Sequence, residues 1–92
     1  MYLMWFDPAR NKSPARKIAE AADRYRGKFG HDPTAVLCNP ADATADATVQ
    51  VYACPFIGRH HYWIGIPEGA VPRCEAVGQP TPGELGAVPA GA

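Results

Sequence analysis

The stretch that decides the fold is Tyr2-Leu3-Met4-Trp5-Phe6, five apolar residues with no polar break, followed at once by Asp7 and Pro8. A strand with one solvent-facing side would alternate apolar and polar residues. An unbroken apolar run that ends in a turn signal instead favours burial on both sides. The pattern therefore predicts that Tyr2–Phe6 is a central strand of a sheet.

The next segment predicts one amphipathic helix from Pro14 to about Phe29. Ser13 suits the cap position in front of Pro14, and Gly30 suits the left-handed position that ends many helices. Apolar residues recur at spacings of three and four, which predicts one inward-facing side. The residues of that side are Ile18, Ala21, Ala22, Tyr25 and Phe29.

The remaining strands complete a predicted α/β domain of order β-α-β-β-β. Thr34–Cys38 is a second apolar run, and strand, helix and strand in succession predict a right-handed crossover with the first two strands parallel. Asn39–Thr48 is predicted as a loop, in which Pro40–Ala45 could form a helical turn. Val49–Cys54 and His61–Ile66 favour strands and predict an antiparallel hairpin. The expected fold is a mixed sheet with one main helix on one face.

The composition changes at Pro67 and predicts a domain boundary there. The 26 residues from Pro67 onward include five Pro, five Gly and five Ala, and no aromatic residue. Such a segment buries too little apolar area to offset the entropy of ordering it. We therefore predict a folded domain over residues 1–66 and a disordered tail over residues 67–92.

The predicted architecture leaves one face of the sheet without a helix, although Tyr2–Phe6 is apolar on both sides. The cover could be the tail, Asn39–Thr48 or another protein. The last possibility predicts a non-catalytic interaction module that forms a homo-oligomer or binds a partner protein through this face. The loop of the predicted hairpin adds an aromatic and arginine-containing group that is typical of interface hot spots. Its residues are Phe56, Ile57, Arg59 and His60.

The polar residues at the strand ends suggest a second kind of site. Asp7 and Asn39 each follow a predicted parallel strand, and ligands gather beyond the carboxyl ends of such strands. The helix begins at the same edge, where its free N–H groups favour anions. The predicted anion-binding residues are Arg10, Lys12, Ser13, Arg16 and Lys17.

The alternative function is therefore phosphate or nucleic-acid contact through the basic start of the helix. The first thirty residues hold seven Lys or Arg against three Asp or Glu, although the whole chain has a formal net charge of zero. No glycine-rich phosphate loop accompanies the helix. A purely structural interpretation is that Asp7 and Asn39 form Asx turns before their prolines and that the basic residues are solvated.

The three cysteines, Cys38, Cys54 and Cys74, predict free thiols in a soluble cytoplasmic protein. No apolar run approaches the ~20 residues that span a bilayer, and the first residues lack the features of a signal peptide. Structural zinc sites use closely spaced cysteine pairs, which this chain lacks. We expect no metal, no cofactor and no membrane partner. Catalysis is not favoured, although Cys54 with His60 or His61 could in principle form a thiol–imidazole pair.

Four segments together resemble a group of short bacterial proteins with no established activity. They are Met1–Asp7, Tyr25–Pro33, Asn39-Pro40 and His61–Gly65, which contain a Met-Tyr-Leu-Met-Trp-Phe-Asp strand, a Phe-Gly-His-Asp-Pro turn and a His-Tyr-Trp-Ile-Gly strand. The resemblance covers residues 1–66. It implies the domain boundary at Pro67 and carries no activity, cofactor or partner.

Overall fold

A computed structural model describes residues 2–69, 71 and 73–78. In these residues one α-helix packs on a five-stranded mixed sheet, which confirms the predicted α/β class. The elements in chain order are β1 (Tyr2–Phe6), α1 (Pro14–Phe29), β2 (Ala35–Cys38), a short 3-10 helix (Pro40–Asp42), β3 (Gln50–Ala53), β4 (His61–Gly65) and β5 (Glu75–Val77).

Helix α1 has the predicted bounds and caps. The Ser13 hydroxyl accepts a hydrogen bond from the Arg16 N–H at 3.1 Å, and so satisfies one of the donors that the first turn leaves free. Gly30 has a φ of 80°, a left-handed conformation that favours glycine, and its N–H donates to the Arg26 carbonyl at 2.8 Å.

The strand order differs from the prediction and is β1-β4-β2-β3-β5. Strand β4 pairs antiparallel with both β1 and β2, so β1 and β2 run in the same direction without being neighbours. Strand β3 lies parallel to β2 on its other side. The predicted β3-β4 hairpin is therefore wrong, and the predicted parallel relation of β1 and β2 holds in direction only, because β4 lies between them.

The connection between β3 and β4 accounts for this order. Residues 54–60 pass across the end of β2, where the Cys54 N–H donates to the Cys38 carbonyl at 2.7 Å and the Asn39 side-chain amide donates to the Ile57 carbonyl at 2.8 Å. The chain then enters β4 on the far side of β2. A loop of this length permits β4 to lie beside β3 as a hairpin or on the far side of β2. Residue periodicity identifies strands but does not identify their neighbours in the sheet.

Strand β1 is an edge strand, which corrects the prediction that it is central. Met4 is 69% exposed and Phe6 is 55% exposed. Leu3 and Trp5 point to the opposite side and pack against the core beneath α1. One apolar side of the strand therefore meets the core under the helix. The other apolar side contributes to a surface that the described residues leave exposed.

The main core lies between α1 and the sheet. It joins the predicted inner side of the helix to alternate residues of β2, β3 and β4, as the period of two requires. Its buried members are Ile18, Ala21, Ala22, Tyr25, Val36, Cys38, Val49, Val51, Tyr62 and Ile64.

The chain itself covers part of the opposite sheet face. Ile57 and the disulfide-bonded Cys54 and Cys74 pack there around Leu37, and Val71 lies against the same cluster. Two predictions are corrected, because Cys54 and Cys74 are not free thiols and Cys74 does not lie in a disordered segment.

Strand β5 also lies beyond the predicted boundary at Ile66 and pairs antiparallel with β3. The predicted disorder is thus wrong for Glu75–Val77. Residues 79–92, the rest of the predicted tail, lie outside the described residues.

Candidate functional site

A polar cleft of about 400 Å³ lies where β1 and β2 end and where α1 and β4 begin. We call it the strand-end cleft. It forms at this edge because the segments after β1 and β2 and before β4 all leave the sheet there. It is lined by Ala9, Arg10, Lys12, Pro14, Lys17, Ala41, Asp42, Arg59 and His60.

Asp42 is the buried acid of the cleft, and its side chain is only 3% exposed. It accepts the His60 backbone N–H at 2.7 Å, and the Arg59 guanidinium donates to both of its oxygens at 3.2–3.3 Å. Burial alone would raise the pKa of Asp42, but the hydrogen bonds from His60 and Arg59 outweigh it and hold this pKa below its usual range. As a carboxylate, Asp42 therefore links the segment that follows β2 to the segment that precedes β4 through hydrogen bonds.

Lys17 is the buried base of the cleft and is 4% exposed. Its ammonium lies 3.4 Å from Nδ1 of His60. His60 has a φ of 66°, which is rare for a residue with a side chain and costs free energy that the surrounding contacts must offset. The buried Asp42 carboxylate supplies such a contact through the His60 N–H.

Asp7 lies beside the cleft in the arrangement of an Asx turn. Its carboxylate accepts the Ala9 N–H at 3.0 Å and the Lys12 ammonium at 3.2 Å. The hydrogen bond from Ala9, together with Lys12, holds the pKa of Asp7 below its usual range. Lys12 also bonds Glu20 at 2.7 Å, and Glu20 in turn accepts the Arg16 side chain at 3.2 Å.

The structure brings part of the predicted anion-binding set together. Arg10, Lys12 and Lys17 line the cleft, whereas Ser13 caps the helix and Arg16 pairs with Glu20 outside the cleft lining. The side chain of Asn39 accepts the Ala41 N–H and donates to the Ile57 carbonyl. It has the predicted Asx-turn role and does not line the cleft.

Sequence reasoning missed Asp42, which was placed in an unremarkable loop. The sequence signal for this role is Asn39-Pro40, a cap residue followed by proline, which is typical of the start of a helical turn. The short 3-10 helix begins there, and Asp42 is its last residue. Arg59 and His60 were predicted as part of an interaction group with Phe56 and Ile57. In the structure Ile57 is buried, Phe56 is exposed on the sheet face, and Arg59 and His60 line the cleft.

A second surface lies on the sheet face away from α1, where the described residues leave β1 and β4 partly exposed. We call it the aromatic face and define it by Tyr2, Met4, Phe6, Phe56, His61 and Trp63. Phe6 contacts His61 with ring centroids 4.6 Å apart, Phe56 lies 6.0 Å from Trp63, and Tyr2 lies 6.4 Å from Trp63. Phe56 is 55% exposed, like Phe6.

A groove of about 710 Å³ runs beside β1 on its other side, between the strand and α1. Trp5 and Arg24 are among its lining residues, and the guanidinium of Arg24 lies 5.3 Å from the Trp5 ring. The Trp5 Nε1–H is buried and has no hydrogen-bond partner among the described residues. The edge of β1 is thus bordered by an apolar face on one side and by this groove on the other.

The cysteines offer no activated nucleophile among the described residues. Cys54 is bonded to Cys74, so its sulfur cannot act with His60 or His61 in this state. Cys38 is buried, and burial raises the pKa of its thiol to about 12, far from the thiolate that attack requires. No group of three or more potential metal ligands occurs among the described residues.

No helix in the described part of the chain is long and apolar enough to cross a membrane. The cytoplasmic location stays a prediction, and the disulfide removes the free-thiol argument for it. Comparison with protein families, curated proteins and solved structures gives no match to this chain.

Proposed function

We propose that this protein is a non-catalytic interaction module that self-associates through the open edge of β1 and the adjoining aromatic face. The observation that carries the proposal is the exposure of Met4 and Phe6 on an edge strand. Natural edge strands are usually protected by charges, prolines or bulges. Tyr2–Phe6 contains neither a charged residue nor a proline.

The register of the sheet indicates which backbone groups are available. The Asp7 N–H donates to the His60 carbonyl, which makes this pair a hydrogen-bonded position of the β1-β4 ladder. Antiparallel ladders alternate, so the N–H and C=O groups of Met4 and Phe6 face the open edge. An added strand would form backbone hydrogen bonds with these N–H and C=O groups.

A second copy of the chain suits this edge. Two β1 strands that pair antiparallel around a twofold axis would present the same surface to each other, as a closed dimer requires. The pairing would extend the five-stranded sheet and bring the exposed Met4 and Phe6 side chains of both copies together. The groove beside β1, with its unpartnered Trp5 N–H, leaves room for side chains of the added strand.

Sedimentation velocity of the full chain over a range of concentrations tests this proposal. We expect a reversible monomer–dimer equilibrium that Met4→Lys abolishes, because a charge at the dimer edge would be desolvated or repelled. Ala19→Lys adds the same charge on the exposed side of α1 and is the matched control, which should associate like the original chain. A monomer at every concentration would refute self-association and leave a partner protein as the occupant of the edge.

The alternative of nucleic-acid contact through the start of the helix is less favoured by the geometry. A small phosphate is a separate case, because it needs fewer free cations than a nucleic acid. Lys12 and Arg16 share Glu20, which reduces the charge available to a polyanion. Lys17 is buried, and among the four basic residues Arg10 is exposed without an ion pair in the described part of the chain. Nucleic-acid binding would need several free cations and accessible aromatic side chains beside them.

A further inference from the structure

We infer that the strand-end cleft is a binding site for a small phosphate-bearing ligand, with Lys17 as its buried anchor and Arg10 and Arg59 at its rim. The inference concerns a different surface from the aromatic face. It does not depend on self-association.

Lys17 is a buried cation whose ammonium has hydrogen-bond donors left unused by the described residues. A lysine ammonium has three N–H donors, and charged groups that are buried are normally paired. Among the described residues the Lys17 ammonium has a single hydrogen-bond contact, the 3.4 Å contact with Nδ1 of His60. A buried cation with spare donors at the wall of a cleft is suited to bind an anion.

The other charges of the cleft leave a positive excess. Asp42 is the only acidic residue among the described residues of the lining, and the oxygens of Asp42 already accept Arg59 and His60. Lys12 is neutralised by Asp7 and Glu20 outside the lining. Arg10 and Lys17 therefore remain without a carboxylate in hydrogen-bond contact among the described residues.

The cleft walls are positioned before any ligand arrives. Asp42 binds the guanidinium of Arg59 and the backbone of His60, so both residues are held at the mouth of the cleft. The ring of His60 lies in the same lining, with Nδ1 3.4 Å from the Lys17 ammonium and 4.0 Å from an Asp42 carboxylate oxygen. Groups fixed in this way lose little entropy on binding.

The dimensions and lining favour a small phosphate over a nucleic acid. A volume of about 400 Å³ is within the range of small-molecule sites. No Phe, Tyr or Trp is among the described lining residues, so bases would lack a large aromatic stacking surface. Arg10, Lys12 and Lys17 of the predicted anion-binding set line the cleft, whereas Ser13 and Arg16 do not, so this site overlaps the predicted one only in part.

Calorimetric titration of the full chain with inorganic phosphate and with glycerol phosphate, at constant ionic strength, tests the inference. We expect saturable binding that Lys17→Met weakens at least about tenfold, the loss expected for a charge-assisted hydrogen bond. Arg16→Ala removes one positive charge from the same helix outside the cleft and should leave the affinity unchanged. Arg10→Ala, at an exposed position, should weaken binding several-fold without affecting folding, and keeps the test valid if Lys17→Met does not fold.

Tighter binding of glycerol phosphate than of inorganic phosphate would support an organic phosphate ester as the ligand, and equal binding would support free phosphate. The absence of saturable heat with both anions would overturn the inference. Equal weakening by Arg10→Ala and Arg16→Ala would also overturn it, because diffuse charge attraction would then account for the binding.

Discussion

At the scale of single residues, Asp42 is the group on which the strand-end cleft depends. Its carboxylate is buried and accepts both the Arg59 guanidinium and the His60 N–H. Asp42→Ala would leave the His60 N–H without its acceptor, so we expect a loss of about 2 to 3 kcal/mol in the free energy of unfolding. Asp32→Ala is the matched control, because Asp32 is exposed and its change should cost less than about 0.5 kcal/mol.

The pH dependence of that loss follows from the direction of the pKa shift. The pKa of Asp42 is lower in the folded chain than in the unfolded chain, so the unfolded state binds the proton more readily. The stabilisation is fully present above the unfolded value of about 4 and disappears as the pH falls through the folded pKa. Urea unfolding of the original chain and of Asp42→Ala should therefore differ most near neutral pH and converge in acid. A difference that is constant or grows on acidification would contradict this role.

The sequence alone predicted which basic residues lie near the strand-end cleft but not the contacts made there. Residue types and chain positions placed Arg10, Lys12 and Lys17 at the edge where the strands end, as the structure has them. The role of Asp42 could not be predicted, since its partners Arg59 and His60 are 17 and 18 residues away along the chain. Their meeting depends on the insertion of β4 beside β2, which no local pattern encodes.

At the scale of elements, the Cys54–Cys74 disulfide joins the segment before β5 to the end of β3. The two cysteines are 20 residues apart, and closing a loop of this length in the unfolded chain is worth about 3 kcal/mol in the chain-entropy account. We expect reduction by a dithiol to lower the free energy of unfolding by about that amount. The double variant Cys54→Ser with Cys74→Ser should have the lower stability from the start and should not respond to the dithiol.

A thiol count checks the bond itself. The unfolded chain without reductant should expose one reactive thiol, that of Cys38, and the reduced unfolded chain should expose three. Three reactive thiols before reduction would contradict the disulfide. In the folded chain we expect Cys38 to react slowly, because it is buried and its pKa is raised to about 12.

The elements differ in how far the sequence determined them. Helix α1 was predicted to its end residues because its caps and its apolar spacing are local signals. Strand β5 was not predicted, since Glu75–Val77 lies in a Pro/Gly/Ala-rich segment. The formation of β5 depends on two non-local contacts, which are the disulfide and the pairing with β3. Composition measures how much apolar area a segment can bury and takes no account of such cross-links.

At the scale of the whole molecule, the continuous apolar run of β1 has a different cause from the one predicted. Its unbroken pattern predicted burial on both sides, but the described part of the chain covers only the side that faces α1. An apolar pattern predicts that both sides of a strand favour burial. It does not indicate whether the same chain or another molecule would bury them. The strand therefore lies at the sheet edge, with Met4 and Phe6 exposed.

The most direct test of self-association through β1 is amide hydrogen exchange of Tyr2–Phe6 as a function of protein concentration. Leu3 and Trp5 are at hydrogen-bonded positions with β4 and serve as internal controls, which should be protected at every concentration. We predict that the N–H groups of Met4 and Phe6, which face the open edge, exchange freely in dilute solution. They should become protected as the concentration rises. Free exchange of Met4 and Phe6 at all concentrations, with Leu3 and Trp5 protected, would contradict the account.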